Sequence, residues 1–448
     1  MAPGVSPAPT GTTAIAGTAT IRVEPSSARL DEPFRVTASG LPPGRPVTIR
    51  ASTRDGELRE WGSHATFVAD AEGALDLGTQ QPQSGTYDGV DATGLLWSMR
   101  PTAGSTRVFF VRRKPSPLHV AVAAEVDGRT VATCTAERTF GAAQVRRRFV
   151  DALGLVGDLF YPKEEGPHPG ALVLSGSDGG QLDQAASLLA AHGYAVLSLG
   201  YVGLEDRPSK LNNIELEYFG TALRWMADQP EIAGERVTVI GLSRGAELAL
   251  QLGSMFPQVA AVVAGAPSGI RQAGLTRKTT DLTKPAWTFG GTPLAFVPGR
   301  GLSLRMFLDF YAVFVFRRPV RLRPTFERLM RRRDVVARAT IEVERIEGPV
   351  MLISGTDDQL WPSGWFAAQI MQRLRDSGHH YPDEHLSYEG AGHFLCFPYG
   401  LASMPPMTKM SPVAALTMDF GGTALANAAA ARDSWPEILR FLAQVSAG

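Results

Sequence analysis

The sequence predicts an α/β fold, a mostly parallel sheet flanked by helices, preceded by an all-β, immunoglobulin-like sandwich. Three observations carry this expectation. From about residue 18 to 141, short segments with apolar residues two apart alternate with turn residues. Beyond residue 150, apolar strand-like runs alternate with helical stripes, the pattern of a parallel sheet covered on both faces. At 237–250, V-T-V-I-G-L-S-R-G-A-E-L-A-L, a β-branched run breaks at Gly241-Leu242-Ser243-Arg244-Gly245 and enters an Ala/Leu/Glu-rich stretch. That is G-x-S-x-G at a strand-to-helix turn, where the hydroxyl projects from the top of a sheet.

At 448 residues, two domains are a better expectation than one. Hydrophobic residues at 44% and charged residues at 20% suit a globular chain with a sizeable core. Lys plus Arg and Asp plus Glu both number 44, so no net charge draws the chain to nucleic acid or a membrane surface. Cys134 and Cys396 lie far apart and form neither a disulfide framework nor a metal-ligand spacing. A reducing, cytoplasmic location is expected, with no metal and no stable membrane insertion. No apolar run reaches the ~18 residues of a membrane span; Met306 to Phe316 comes nearest and is interrupted by Asp309.

In chain order, residues 1–17 read as a disordered leader, since M-A-P-G-V-S-P-A-P-T-G-T-T lacks the basic and apolar regions of a signal peptide. Residues 18–141 form the expected sandwich. Its strand signals are the pairs Ile21/Val23, Phe34/Val36, Val47/Ile49 and Leu75/Leu77, then 108–111, 119–123 and 131–135. His64 and His119 belong to its surface or core and not to chemistry. Residues 142–448 form the α/β domain. Strands are expected at 171–174, 194–198, 237–240, 260–264 and 350–354, and helices at 182–192, 214–226, 365–374 and 435–445. A lid-like insertion spans about 267–345. Ligands of such sheets bind beyond the carboxyl ends of the strands, which directs attention to the loops after 174, 240 and 354.

Those loops carry the parts that a serine nucleophile needs. The α/β-hydrolase order is Ser, then an acid, then His. Gly355-Thr-Asp357-Asp358-Gln-Leu-Trp-Pro362 follows a strand, where the acid belongs, and Tyr388-Glu-Gly-Ala-Gly-His393-Phe follows another, where the base belongs. His393 is the expected base; His379, His380 and His385 are expected on a solvated surface. Asp358 fits G-x-x-D-x-x-hydrophobic-P, leaving Asp357 to cap the loop. For the oxyanion, one backbone amide is expected from Arg244 and the other from Ser177 or Asp178 in S-G-S-D-G-G.

Taken together, T-I-R-V-E-P-S-S-A-R-L-D-E-P-F-R-V, L-P-P-G-R-P-V-T-I-R, S-G-S-D-G-G, G-Y-A-V-L-S-L-G-Y, I-E-L-E-Y-F, the serine turn, S-G-T-D-D-Q-L-W-P-S and G-A-G-H-F-L-C-F-P-Y give most of the chain a resemblance to a known family. It resembles the type I acyl-CoA thioesterases and bile acid-CoA:amino acid N-acyltransferases. The resemblance implies a Ser243-His393-Asp358 hydrolase acting on an acyl thioester through an acyl-enzyme. It also implies no cofactor, coenzyme A or phosphopantetheine entering only as part of the substrate. The transferase branch typically carries cysteine at the nucleophile, so serine at 243 favours hydrolysis.

The segment between the strands ending near Ala264 and starting at Val350 is longer than this resemblance leads one to expect. Leu302 to Phe316 is apolar and aromatic almost throughout, and Arg317, Arg318, Arg321, Arg323, Arg328 and Arg331 to Arg333 follow. As a lid, it would line an acyl pocket with Phe307, Phe310 and Tyr311, joined by Trp361, and would offer Arg317 and Arg318 to a phosphate. As a structural element, it would be a buried helix with a solvated basic face. The arginines suit coenzyme A or an acidic acyl-carrier protein equally. Three other functions remain compatible with the sequence: acyl transfer to an amine or alcohol, ester or peptide hydrolysis, and non-catalytic binding on a hydrolase scaffold.

Overall fold

A computed structural model describes residues 19–105, 108–112, 114–204, 206–275, 282–299, 316, 318–395, 407–409 and 417–447. The front of the chain builds two β-sheets that share one core. Thr20–Glu24, Arg35–Ser39 and Leu75–Asp76 form the smaller. The larger has Leu118–Val126 paired on one side with Arg129–Thr139 and on the other with Pro46–Arg54, which pairs in turn with Glu60–Val68. Val36 and Leu75 from the first sheet meet Ile49, Phe67 and Val120 from the second. Each such side chain contributes about 1.5–3 kcal/mol on full burial. Two strand expectations change here. Glu60–Val68 alternates buried Trp61, Ser63, Ala65 and Phe67 and was not anticipated, while 108–112 is irregular.

The second part is an eight-stranded sheet in the order Val145–Val150, Val156–Pro162, Ala195–Gly200, His168–Leu174, Ile232–Leu242, Val259–Gly265, Val350–Gly355, Glu384–Tyr388. Val156–Pro162 runs antiparallel to both neighbours, and from Ala195–Gly200 onward all pairs are parallel. This is the α/β-hydrolase arrangement. Alternation along the central strands feeds both faces: Leu172 and Leu174 join a core with Phe219 and Leu248, while Ala171 and Val173 join one with Leu188 and Trp435. The helices are Asp183–Ala190, Glu217–Ala227, Arg244–Gly253, Ser363–Asp376 and Ala424–Ala447. The expected helix at 214–226 starts later, because Ile214–Glu215 is a short strand paired with Trp287–Phe289. Arg323–Leu329 and Arg333–Ala339 are helical. No helix among the described residues is long and apolar enough to cross a membrane.

The front sheets dock on the helices Asp183–Ala190 and Ala424–Ala447. Asp31 accepts hydrogen bonds from His192 Nε2 and, at 3.0 Å, from Trp435 Nε1. Arg432 reaches Asp91 at 3.0 Å, and Ser187 Oγ donates to the Phe140 carbonyl at 2.7 Å.

Candidate active site

The strand Ile232–Leu242 ends and the helix Arg244–Gly253 begins with a single residue between them. Ser243 therefore makes the whole turn, at φ 58° and ψ −119°, a backbone conformation that costs a non-glycine residue of order 1–3 kcal/mol. Its amide donates to the Gly265 carbonyl at 2.8 Å, which anchors the turn to the neighbouring strand. Both flanking glycines are required by close approach. A Cβ on Gly241 would lie 2.1 Å from the Gly245 carbonyl oxygen, and one on Gly245 would lie 2.5 Å from those of Leu174 and Ser175. The Arg244 amide opens the helix, where the first backbone N–H groups have no intrahelical acceptor.

The other two parts arrive from the far strands. His393 Nε2 accepts from Ser243 Oγ at 2.8 Å, and its Nδ1–H donates to Asp358 Oδ2 at 2.8 Å. The second oxygen of Asp358 accepts from the amides of Leu360 (2.9 Å) and Trp361 (3.2 Å). That oxygen is occupied, so the carboxylate presents the other to the ring and fixes its tautomer. Exposure of Ser243, His393 and Asp358 is 7%, 1% and 0%, which keeps the proton path out of bulk water. Asp357 faces elsewhere, accepting from Gln359 Nε2 at 2.6 Å and the Gly422 amide at 2.9 Å. Of the two aspartates, Asp358 alone reaches the histidine.

Residues 31–152 match the family region described as Acyl-CoA thioester hydrolase/BAAT N-terminal region, and residues 214–447 match BAAT / Acyl-CoA thioester hydrolase C terminal. The chain belongs to this family. It is 32% identical over 440 residues to the peroxisomal succinyl-coenzyme A thioesterase of Mus musculus, covering 94% of this chain and 96% of that protein. It is 32% identical over 436 residues to acyl-coenzyme A thioesterase 1 of Homo sapiens, at the same coverage. It is 31% identical over 425 residues to acyl-coenzyme A amino acid N-acyltransferase 1 of Mus musculus, covering 93% and 95%.

In this member of the acyl-CoA thioester hydrolase/BAAT family, Ser177 and Asp178 sit exposed on the loop after His168–Leu174. That loop adjoins the nucleophile: a Cβ on Gly176 would lie 3.7 Å from Ser243 Cβ. Trp361 is buried, donates from Nε1 to the Ala266 carbonyl at 3.1 Å, and sets its ring edge-on to His393 at 5.7 Å. Arg318 is exposed, with its guanidinium 5.6 Å from the Phe316 ring. Phe307, Phe310, Tyr311 and Arg317 lie outside the described residues, as does Cys396. Among the described residues, no group of three or more His, Cys, Asp or Glu could hold a metal ion.

One histidine expectation is corrected. The His379 side chain is 3% exposed, with Nδ1 at 2.7 Å from Asp383 and Nε2 donating to the Ile346 carbonyl at 2.8 Å. The Asp383 carboxylate also receives the Val350 amide. This pair ties the segment after Ser363–Asp376 to the sheet, a buried structural role. His385 is half-buried against Ser354 Oγ at 2.8 Å, and His380 is exposed.

Several supports of the family site were not anticipated. The His393 amide donates to the Phe420 carbonyl at 2.9 Å, and the Gly392 amide to Asn427 Oδ1 at 2.7 Å. Arg323 donates to the carbonyls of Thr356 (3.1 Å) and Asp358 (3.3 Å), stapling the acid loop. The Phe420 ring stacks beside His393 at 6.3 Å and meets Phe394 at 4.7 Å. Phe109 from the front part reaches both, at 5.8 Å from Phe394 and 6.1 Å from Phe420, with its carbonyl held by Arg59 at 2.9 Å. The only hint in the sequence was the Gly421-Gly422 turn; nothing local paired it with 357 or 392.

Proposed function

We propose that this chain hydrolyses acyl-CoA thioesters with Ser243 as nucleophile, His393 as general base and acid, and Asp358 as the group that orients the base. The observation that carries the reading is the unbroken 2.8 Å relay from Ser243 Oγ through His393 to Asp358. As Oγ attacks the thioester carbonyl, Nε2 takes its proton, and positioned proton transfer of this kind contributes about 10²–10⁴-fold. The carbonyl oxygen becomes an oxyanion held by the Arg244 amide and by that of Ser177 or Asp178, each such donor being worth about 2.7–4 kcal/mol. The C–S bond breaks, and the thiolate leaves with the proton from Nε2. Water then gives a proton to the same nitrogen and attacks the acyl-serine; the C–Oγ bond breaks, Oγ takes the proton back from Nε2, and the acid is released. The chemistry asks for no metal and no resident cofactor; coenzyme A enters as part of the substrate.

Substrate identity is supported by the thioesterase names of the relatives and by the exposed Arg318, available to a phosphate. An acyl-carrier protein is the competing donor. Arg318→Ala should raise KM for acyl-CoA about 3- to 10-fold and leave the N-acetylcysteamine thioester of the same acyl group unaffected. An equal effect on both removes Arg318 from phosphate recognition. A reducing compartment, the cytoplasm, suits the cysteine usage, and fractionation of cells carrying the tagged chain tests it.

The deciding experiment is thiol release from acyl-CoAs of graded chain length by wild type and Ser243→Ala. The variant should lose about 10⁴-fold or more, and equal rates would overturn the assignment. The similarity to the N-acyltransferase favours a second reading, transfer to an amine. Product mass after incubation with acyl-CoA and amino acids separates the two: free acid marks a hydrolase and an amide marks a transferase.

A further inference from the structure

Beside the nucleophile lies a buried ionic cluster that the mechanism above does not use. Glu247, one turn into the helix from Ser243, is 0% exposed. Its Oε2 lies 3.0 Å from Arg244 and accepts the Gln272 amide at 3.3 Å; its Oε1 accepts Trp287 Nε1 at 2.7 Å. Burial pushes the Glu247 carboxyl up, against the pull of Arg244 and the hydrogen bond from Trp287. Arg244 is itself buried, donates to the Gln272 carbonyl at 3.2 Å and lies 5.8 Å from the Trp287 ring. The Trp287 ring in turn sits 6.3 Å from that of Tyr201, whose hydroxyl donates to the Ser175 carbonyl at 2.6 Å.

Stability does not account for such a pair. Burying two charges costs several kcal/mol per ion before their attraction is counted, and apolar residues of similar volume are often neutral or better. What the cluster does geometrically is specific. Arg244 carries one oxyanion amide on its own backbone, and Ser175 opens the loop that carries the other. No side-chain hydrogen bond of Arg244, Glu247, Trp287 or Tyr201 goes to Ser243, His393 or Asp358. We infer that Glu247 is a positioning residue for the oxyanion hole, holding the Arg244 amide and the 175–178 loop in register through Arg244, Trp287 and Tyr201. The inference rests on the serine-nucleophile reading above.

The test uses the full chain and two inhibitors of matched chain length. One is an S-alkyl coenzyme A thioether, which binds but has no electrophilic carbon. The other is a coenzyme A-linked trifluoromethyl ketone. Its carbonyl carbon bonds to Ser243 Oγ, the C=O pair moves onto oxygen, and the serine proton passes to His393, so its affinity reports the oxyanion hole. Glu247→Gln should lower kcat about 10- to 100-fold, less than the ~10²–10³ of removing a donor outright, and Tyr201→Phe about 10-fold. KM and the thioether Ki should stay within about 2-fold, while the ketone Ki should rise by the factor that kcat/KM falls.

A merely structural cluster would lower Tm and weaken both inhibitors alike, or leave kcat unchanged; either result overturns the inference. Should Glu247→Gln not fold, Tyr201→Phe and Trp287→Phe carry the same comparison. Ser243→Ala separates the two failures. If it retains turnover and wild type binds the ketone no better than the thioether, the nucleophile reading falls and the inference with it. If wild type prefers the ketone and the variants prefer it equally, the inference alone falls.

Discussion

On one flank of Ser243 side chains and backbone meet backbone groups, and on the other buried side chains meet chiefly one another. On the His393 flank every contact has a backbone group on at least one side: the His393 amide on the Phe420 carbonyl, the Gly392 amide on Asn427 Oδ1, Arg323 on the carbonyls of the acid loop, and the Gly422 amide on the Asp357 carboxylate. The Arg244 flank rests on a carboxylate, a guanidinium, an indole and a phenol. Backbone scaffolds tolerate changes of side-chain chemistry and fail when a chain cannot approach closely. Side-chain scaffolds tolerate small changes of shape and fail when a charge or donor is lost. The two flanks should therefore respond to opposite kinds of substitution.

The largest expected effect sets a working residue against a scaffolding one on the same loop. Asp358→Asn should reduce turnover about 10⁴-fold by presenting the wrong donor to His393. Asp357→Asn should cost less than about 10-fold, together with about 1–3 kcal/mol of stability for a weakened Gly422 contact. Steady-state kinetics on the pair checks this, and the reverse order would exchange their roles.

Next in size is a test of shape. At Gly421, φ is +77° and a Cβ would fall 1.7 Å from the Asp357 carbonyl oxygen. Gly421→Ala should lower turnover about 10²-fold and cost about 3 kcal/mol or more, because backbone must move. Gly390, at φ +67°, has nothing nearer than 3.8 Å, so Gly390→Ala should cost only about 1–2 kcal/mol of conformational strain. Denaturant titration of both measures it, and equal losses would mean that close approach does not govern this flank.

Trp361 joins the flanks, its ring on His393 and its Nε1 on the Ala266 carbonyl beyond the Ser243 anchor. Trp361→Phe keeps a ring and strands one acceptor. A loss of about 1–2 kcal/mol with kcat reduced less than about 10-fold is expected, read from Tm and turnover together.

The smallest effect comes from a contact remote from both flanks. Burial pushes the Asp31 carboxyl up, but hydrogen bonds from His192 and Trp435, with the charges of His192 and Arg29, hold it below its ordinary value. A depressed folded value means that this contribution is present above the unfolded carboxylate pKa of about 3.9 and is lost as pH falls through the folded value. Wild-type Tm should therefore fall more steeply than that of Asp31→Asn below about pH 4, with turnover at neutral pH little changed. Parallel Tm profiles would remove Asp31 from the acid response.

Much of this was legible in the chain because it depends on local order. Val237 to Leu250 announces a strand, a turn that only glycines allow, and a helix, and the order of Asp358 and His393 after Ser243 follows from strand succession. Less legible was Glu60–Val68, where Ser63 and Ala65 give the inward face too little apolar contrast. Val145–Val150 hides behind Arg146 to Arg148, and only the fold reveals that Arg147 meets Asp158 at 2.8 Å. Glu247 looks like any solvated helix residue, because burial of a charge is decided by partners 25 and 40 positions away. Phe420 contributes a carbonyl to His393, and a carbonyl leaves no trace in residue identity.

Phe109 extends the site beyond the hydrolase sheet. A gene trimmed to residues 142–448 would encode every group of the relay and still lack a ring of the wall beside His393, one held by Arg59 from the opposite end of the chain. Front and back halves must then be inherited as a matched set. Exchanging the front half with that of a distant relative would transplant the wrong ring, and successful chimeras should be those that carry the strap around 109 along with the sheet it closes.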